Sequence, residues 1–203
     1  VILPKTIPLS SLELLFKTIY QHYTLAETNY QSRKTLQDIA IIELLFSTGI
    51  RISELCALKS SDVNLTDCTI LVYGKGSKER RIQLANDDVI NILSSYRKMF
   101  ASEINKKHYF FANRYGNAVS DQSVRRMIKK YARIAGIDIN ITPHMFRHTF
   151  ATSLLESDVD IRYIQEMLGH SSINITEIYT HVTTSKQLDI LKNKHPRKDF
   201  QVI

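Results

Sequence analysis

The sequence predicts a mainly α-helical fold with a small antiparallel β-sheet, an α+β domain. Apolar residues recur at three- and four-residue spacing along most of the chain, the signature of helices with one buried face. Only residues 69–84 hold two alternating, partly β-branched runs about a glycine-containing turn, which predicts one β-hairpin. The length of 203 residues, with 43% hydrophobic and 23% charged, suits one globular domain and excludes a disordered or fibrous chain.

Val1 to Pro8 contains Pro4 and Pro8 and reads as an extended arm or linker, leaving residues 9–203 as the domain. Ser10 and Glu13 form a capping box that opens a first helix, whose Leu12, Leu15, Phe16, Ile19 and Tyr23 share a face. The polar stretch Thr24 to Arg33 reads as a loop. A strongly apolar helix then runs from Thr35 to Ser47 and stops at Gly49, a residue suited to the left-handed conformation that ends helices. Arg51 to Leu58 is a short second segment.

Thr69 to Tyr73 and Arg80 to Leu84 are the hairpin strands, joined through Gly74-Lys75-Gly76-Ser77. Asp87 or Asp88 caps a helix reaching Phe100, and Ser120 or Asp121 caps another that reaches Ala135 and closes at Gly136. Tyr109 to Ala112 reads as a further short strand. Thr142-Pro143 starts a helix running to about Glu156, because proline in the first helical position gives up no needed donor. Asp160 caps Ile161 to Leu168, with Gly169 as the stop; one more helix carries Tyr179, and Ser185 to Lys194 forms the last, ahead of Pro196 and a charged tail.

Twenty-seven Lys and Arg against twenty Asp and Glu give a net charge of +7, which favours a polyanionic partner, nucleic acid first. Many soluble proteins carry as much charge, so motifs must decide. Cys56 and Cys68 are too few for a disulfide framework and lack metal-ligand spacing; they suit a reducing compartment. With no apolar run near the ~20 residues of a membrane span and no secretory pattern at the start, the expected location is the cytoplasm.

Five segments combine unusual chemistry in a fixed order: Thr48-Gly49-Ile50-Arg51-Ile52-Ser53-Glu54-Leu55, Gly74-Lys75-Gly76-Ser77-Lys78-Glu79-Arg80, Pro143-His144-Met145-Phe146-Arg147-His148, Leu168-Gly169-His170-Ser171-Ser172 and Ile178-Tyr179-Thr180-His181-Val182. In order, content and spacing they resemble the catalytic domain of tyrosine recombinases of the lambda-integrase family, most of all the Xer type, from about Leu3 to Arg197. The resemblance implies the DNA breaking-rejoining fold and makes Arg51 and Arg147 the two catalytic arginines, Lys75 the hairpin lysine, His144 the partner of Arg147, His170 the third basic position and Tyr179 the nucleophile. It further implies an N-terminal DNA-clamping domain ahead of Val1, and a tetramer of like or unlike protomers on double-stranded DNA built from monomers in solution. Lys194-His195-Pro196-Arg197 is similar to the ending of Xer-type chains, in which the C-terminal helix docks on a neighbouring subunit.

Elementary chemistry gives these residues compatible roles. A phosphodiester transition state gathers negative charge on its nonbridging oxygens, and enzymes meet that charge with metal ions or fixed cationic donors. The sequence offers no carboxylate cluster for a metal, whereas arginine forks from separate segments, Arg51 and Arg147, can clamp one phosphate. No metal or other cofactor is expected. His144 and Arg147 stand three apart on one helical face. A tyrosine hydroxyl with a pKa of about 10 needs a proton acceptor to attack phosphorus, for which His144 is the candidate. The departing 5′-oxygen needs a proton donor, Lys75 or alternatively Lys78 on the turn. His170 can buttress the phosphate or the nucleophile's helix, and Glu54, one turn beyond Arg51, can orient that arginine.

Plainer readings stand beside these. An isolated Arg51 would be a surface charge, and the glycine-lysine turn alone an ordinary hairpin turn. His144 and His148 have the spacing of a zinc pair but no third ligand, and His148 reads as a packing or hydrogen-bonding histidine. Arg125, Arg126, Lys129, Lys130 and Arg133 form either a solvated helix face or a track for DNA phosphates. A non-catalytic DNA-binding protein and a type IB topoisomerase are the other functional readings.

Overall fold

The computed structural model describes residues 5–169 and 184–203. In order along the chain they form α1 (Leu9–Thr24), α2 (Asn29–Thr48), α3 (Ile52–Ala57), β1 (Val63–Asn64), β2 (Thr69–Tyr73), β3 (Glu79–Gln83), α4 (Asp87–Met99), α5 (Ala101–Lys107), α6 (Asp121–Ile134), α7 (Pro143–Glu156), α8 (Ile161–Leu168) and α9 (Thr184–Lys194). The fold is mainly helical, with one antiparallel sheet ordered β1-β2-β3. Thr69 faces Gln83 and Tyr73 faces Glu79 across the hairpin, so Arg80 lies opposite Val72.

Helix α2 is the axis of the domain and packs against α1, α4 and α7. Residues 35–46 are buried on every face. A helix surrounded in this way can carry polar side chains only if each finds a partner. Gln37 donates to the Ala112 carbonyl at 2.8 Å, Asp38 accepts from the Tyr131 hydroxyl at 3.0 Å, and Glu43 accepts from Arg197 Nε at 3.1 and 3.2 Å. A second cluster, built by Phe150, Leu154, Val159, Ile164, Met167, Leu168, Ile190 and Leu191, joins α7, α8 and α9.

Several expectations need correction. Helix α2 starts six residues earlier than its apolar pattern, at Asn29, because Thr28 and Gln31 form a reciprocal capping box. Its first turn is exposed and so lacks the apolar periodicity that reveals a helix. Helix α1 begins at Leu9 behind Pro8, without the Ser10–Glu13 box. Asn86, rather than Asp87 or Asp88, caps α4, its Oδ1 accepting from the Asp88 and Val89 amides at 2.9 and 3.3 Å. Tyr109 to Ala112 is no strand: Tyr109 bridges Lys59 and Ala112 bridges Ala118, each as an isolated pair. The unexpected α5 precedes it. The arm before α1 is anchored in part, since Ile7 is buried and its amide donates to Thr149 Oγ1 at 2.9 Å.

Residues 184–203 pack against the helices and hairpin that precede them. Gln187 on α9 accepts from the Gln83 amide at 2.7 Å, and Phe200 stacks on Phe46 with ring centroids 5.7 Å apart. His195 is buried between Phe46 and Phe150, with Nε2 2.9 Å from the Phe46 carbonyl and Nδ1 accepting from the Arg197 amide at 3.0 Å. Burial pulls the His195 pKa down from 6.5 to about 4, the Arg197 charge adding to this and the Phe46 hydrogen bond opposing it. A depressed folded-state pKa means that stability present above the unfolded value is lost as pH falls between these two values. Burial pushes Glu43 upward, which acts with the opposite sign, so a difference measurement isolates His195. Relative to His195→Gln, which cannot take up the proton, the natural chain should lose about 1.4 kcal/mol of unfolding free energy per pH unit below 6.5. Urea melts of the two proteins between pH 7 and pH 4.5 check this, and parallel pH profiles would contradict it.

Candidate active site

Gly49 ends α2 in the left-handed conformation, φ 66°, with its amide on the Leu45 carbonyl at 3.1 Å. A Cβ there would sit 2.7 Å from both Leu168 and Phe150, so only glycine lets α7 and α8 approach this closely. The turn delivers Arg51 in extended conformation at the start of α3. Its side chain is 40% exposed, and Nη1 stands 3.7 Å from Glu54 Oε2.

Glu54 is the hub. Its buried carboxylate accepts from the Arg51 amide at 3.0 Å and from Arg80 Nη1 and Nη2 at 2.6 and 3.0 Å. Burial pushes its pKa up, but the hydrogen bonds and charge of Arg80, aided by Arg51, outweigh this and leave it below the usual carboxylate value. The sequence pointed to Arg51 as the partner of Glu54; the structure makes Arg80 the closer one, because strand β3 aims it across the hairpin at α3. Arg80 Nε also donates to the Met167 carbonyl at 3.0 Å, and a Cβ on Gly169 would come 2.9 Å from Arg80 Cδ.

Arg147, on α7, is 5% exposed. Its Nη1 donates to the Gly49 carbonyl and its Nη2 to the Leu168 carbonyl, each at 2.8 Å. One guanidinium therefore ties the end of α2 to the end of α8. Burial, then the charges of Arg51 and Arg80, lower its pKa to about 10, with Glu54 opposing. It stays cationic at neutral pH. Three guanidinium groups thus share electrostatic reach with one carboxylate, an excess of positive charge suited to an anion.

His144 is exposed in the first turn of α7, behind Pro143, and its Nε2 lies 2.7 Å from His148 Nε2. His148 contacts His144 as a hydrogen-bonding histidine. Lys75 and Lys78 are exposed on the hairpin turn, where Gly76 has φ 73°, and the ammonium of neither bonds to a described residue. Gly74, next to Lys75, lies against the cluster: a Cβ there would stand 3.7 Å from Glu54 Oε2 and 3.9 Å from Arg80 Nη1. His170 and Tyr179 lie outside the described residues, though Gly169, immediately before His170, is held against Arg80. On α6, Val124, Met127, Ile128, Tyr131 and Ala132 face inward while Arg125, Arg126, Lys129, Lys130 and Arg133 face solvent. Arg125 pairs with Asp121 at 2.6 Å. Among the described residues no three His, Cys, Asp or Glu side chains gather as metal ligands.

Residues 16–186 match the model of the phage integrase family. The chain belongs to that family. It is 68% identical, over 98% of its length, to a tyrosine recombinase of Agathobacter rectalis, and 42% identical, over 79%, to the tyrosine recombinase XerD of Staphylococcus haemolyticus. The chain spans 65% and 55% of those two relatives. Among solved structures it resembles the XerH site-specific recombinase bound to its difH substrate, with TM-score 0.71 and 28% identity over 89% of this chain and 51% of that one. The helical fold with its three-stranded sheet is thus a family fold. Arg80 and Gly169 are the site residues that motif chemistry left unassigned. Gly169 had a signal, a glycine closing a helix; strand β3, Glu79-Arg80-Arg81-Ile82-Gln83, is mostly polar and gave none for Arg80.

Proposed function

We propose that residues 9–203 are the catalytic domain of a site-specific DNA recombinase that cuts and rejoins duplex DNA without a metal ion, with residues 1–8 as the arm leading into it. The observation that carries this reading is the cluster of Arg51, Arg80 and Arg147 about Glu54, with Arg147 held on two carbonyls so that its position is fixed before substrate arrives. Arg51 and Arg147 clamp the scissile phosphate. Tyr179 attacks phosphorus, its proton passing to His144. The bond from phosphorus to the 5′-oxygen breaks, and that oxygen takes a proton from Lys75 or Lys78. The products are a 3′-phosphotyrosyl link and a free 5′-hydroxyl. One phosphoester replaces another, so resealing needs no ATP, and attack by a 5′-hydroxyl from a second duplex exchanges strands. His170, which follows Gly169 in sequence, supports the phosphate.

Arg125, Arg126, Lys129 and Lys130 on the solvent face of α6 lie along the DNA backbone, and four protomers, alike or of two kinds, assemble on two duplexes from monomers in solution. The reaction takes place in the cytoplasm, at the nucleoid.

Nicked duplexes randomised around the nick, incubated with the chain in excess chelator, should yield a protein–DNA adduct that survives denaturation. Salt-sensitive binding with no adduct would support a non-catalytic DNA-binding protein. Relaxation of any supercoiled plasmid regardless of sequence would support a topoisomerase.

A further inference from the structure

We infer that Arg80 is a positioning residue of the cleavage reaction, acting through Glu54 on Arg51; this rests on the function proposed above. All three guanidinium nitrogens of Arg80 are engaged, Nε with the Met167 carbonyl and both Nη with the Glu54 carboxylate, and its side chain is only 12% exposed. It has little left to offer a phosphate. Arg51 is the opposite case: 40% exposed, 3.7 Å from the same carboxylate, it keeps its donors free for an incoming anion. The two arginines therefore divide the work. Arg80 is braced at one edge by the last turn of α8 and at the other holds Glu54 in place and ionised. Glu54 in turn accepts the Arg51 amide at 3.0 Å and faces its guanidinium, setting the direction in which Arg51 leaves α3. A planar fork with three fixed edges makes this brace; a lysine ammonium cannot meet the same groups at once.

The chain runs from the α8 carbonyl through Arg80 and Glu54 to Arg51, and it makes a prediction that a merely stabilising ion pair does not. If Arg80 works by placing Arg51, its loss matters little once Arg51 is gone. Single-turnover adduct formation should be measured for the natural chain, Arg80→Met, Arg80→Lys, Arg51→Ala and Arg80→Met/Arg51→Ala, on an ordinary nicked duplex and on one whose scissile 5′-bridging oxygen is sulphur. Arg80→Met should slow the reaction about a hundredfold, the scale of an ångström-sized misplacement, with DNA affinity changed by less than about threefold. Added to Arg51→Ala it should cost less than about threefold more. Arg80→Lys keeps the charge beside Glu54 and guards against misfolding of the methionine variant; it should melt within a few degrees of the natural chain yet react at least about tenfold more slowly. Sulphur, which leaves without a proton, should rescue Lys75→Ala/Lys78→Ala and not Arg80→Met. Multiplicative losses in the double variant, or rescue of Arg80→Met by sulphur, would overturn the assignment while leaving the recombinase reading in place. No adduct with the natural chain on either duplex would remove both.

Discussion

Replacing Arg147 by lysine should slow adduct formation by two to three orders of magnitude and also weaken the fold. The two effects have one origin. Arg147 reaches the Gly49 and Leu168 carbonyls at 2.8 Å each, and a hydrogen bond from a charged donor to a buried acceptor is worth about 1.5–3 kcal/mol. Lysine can satisfy one of these carbonyls and leaves the other buried without a donor, so a loss of about 2 kcal/mol in unfolding free energy is expected. The kinetic loss follows from electrostatics: removing one preorganised donor from an oxyanion site commonly costs about 10²–10³ in rate, and a point charge cannot replace a fork that binds two oxygens. Rates measured well below the melting temperature separate the two losses. Because the Arg147 pKa, though lowered, is about 10, the guanidinium should stay charged and the clamp intact throughout the neutral range. A lysine variant as fast as the natural chain would remove Arg147 from the phosphate.

Tyr179→Phe should abolish the adduct entirely and leave DNA affinity within about twofold of the natural chain. Phenylalanine fills the same space without the hydroxyl, so no oxygen remains to form the phosphoester. On the proposed function, phosphate contacts from Arg51, Arg147 and the cations of α6 would supply affinity through counterion release, a contribution that does not involve the phenol. The comparison should therefore be made at fixed salt, with gel-shift affinity and denaturing-gel adduct read from the same incubation. Persistence of the adduct at its full level would assign the nucleophile elsewhere.

Much of this was legible in the residues. Thr142-Pro143, Asp160 with Gly169, Ser120 and the hairpin about Gly74 are local signals, and α7, α8, α6 and the two strands lie within a residue or two of where these signals place them. What escaped was set by exposure or by long-range contact. The first turn of α2 faces solvent and carries no periodicity, and only Phe100, which is no turn former, separates α4 from α5. Tyr109 to Ala112 has strand composition because Phe110 and Phe111 fill the core around Tyr96, where burial rather than pairing sets the residue type. At the site, motif spacing named Arg51, His144 and Arg147 and set Arg51 beside Glu54. It could not name Arg80, because the contact from β3 to α3 and to the last turn of α8 joins residues 26 and 87 positions apart. No local pattern encodes such a separation.

The chemistry of the broken strand tests the central claim most directly. After cleavage in excess chelator, the adduct should be digested with protease, the peptide attached to DNA sequenced by mass spectrometry, and both strand ends characterised. The result expected is a phosphodiester from Tyr179 to the 3′ side of the break, with a 5′-hydroxyl on the other fragment and no requirement for a divalent ion. A 5′-linked peptide, attachment at any other residue, or a break appearing only when a metal ion is restored would contradict it.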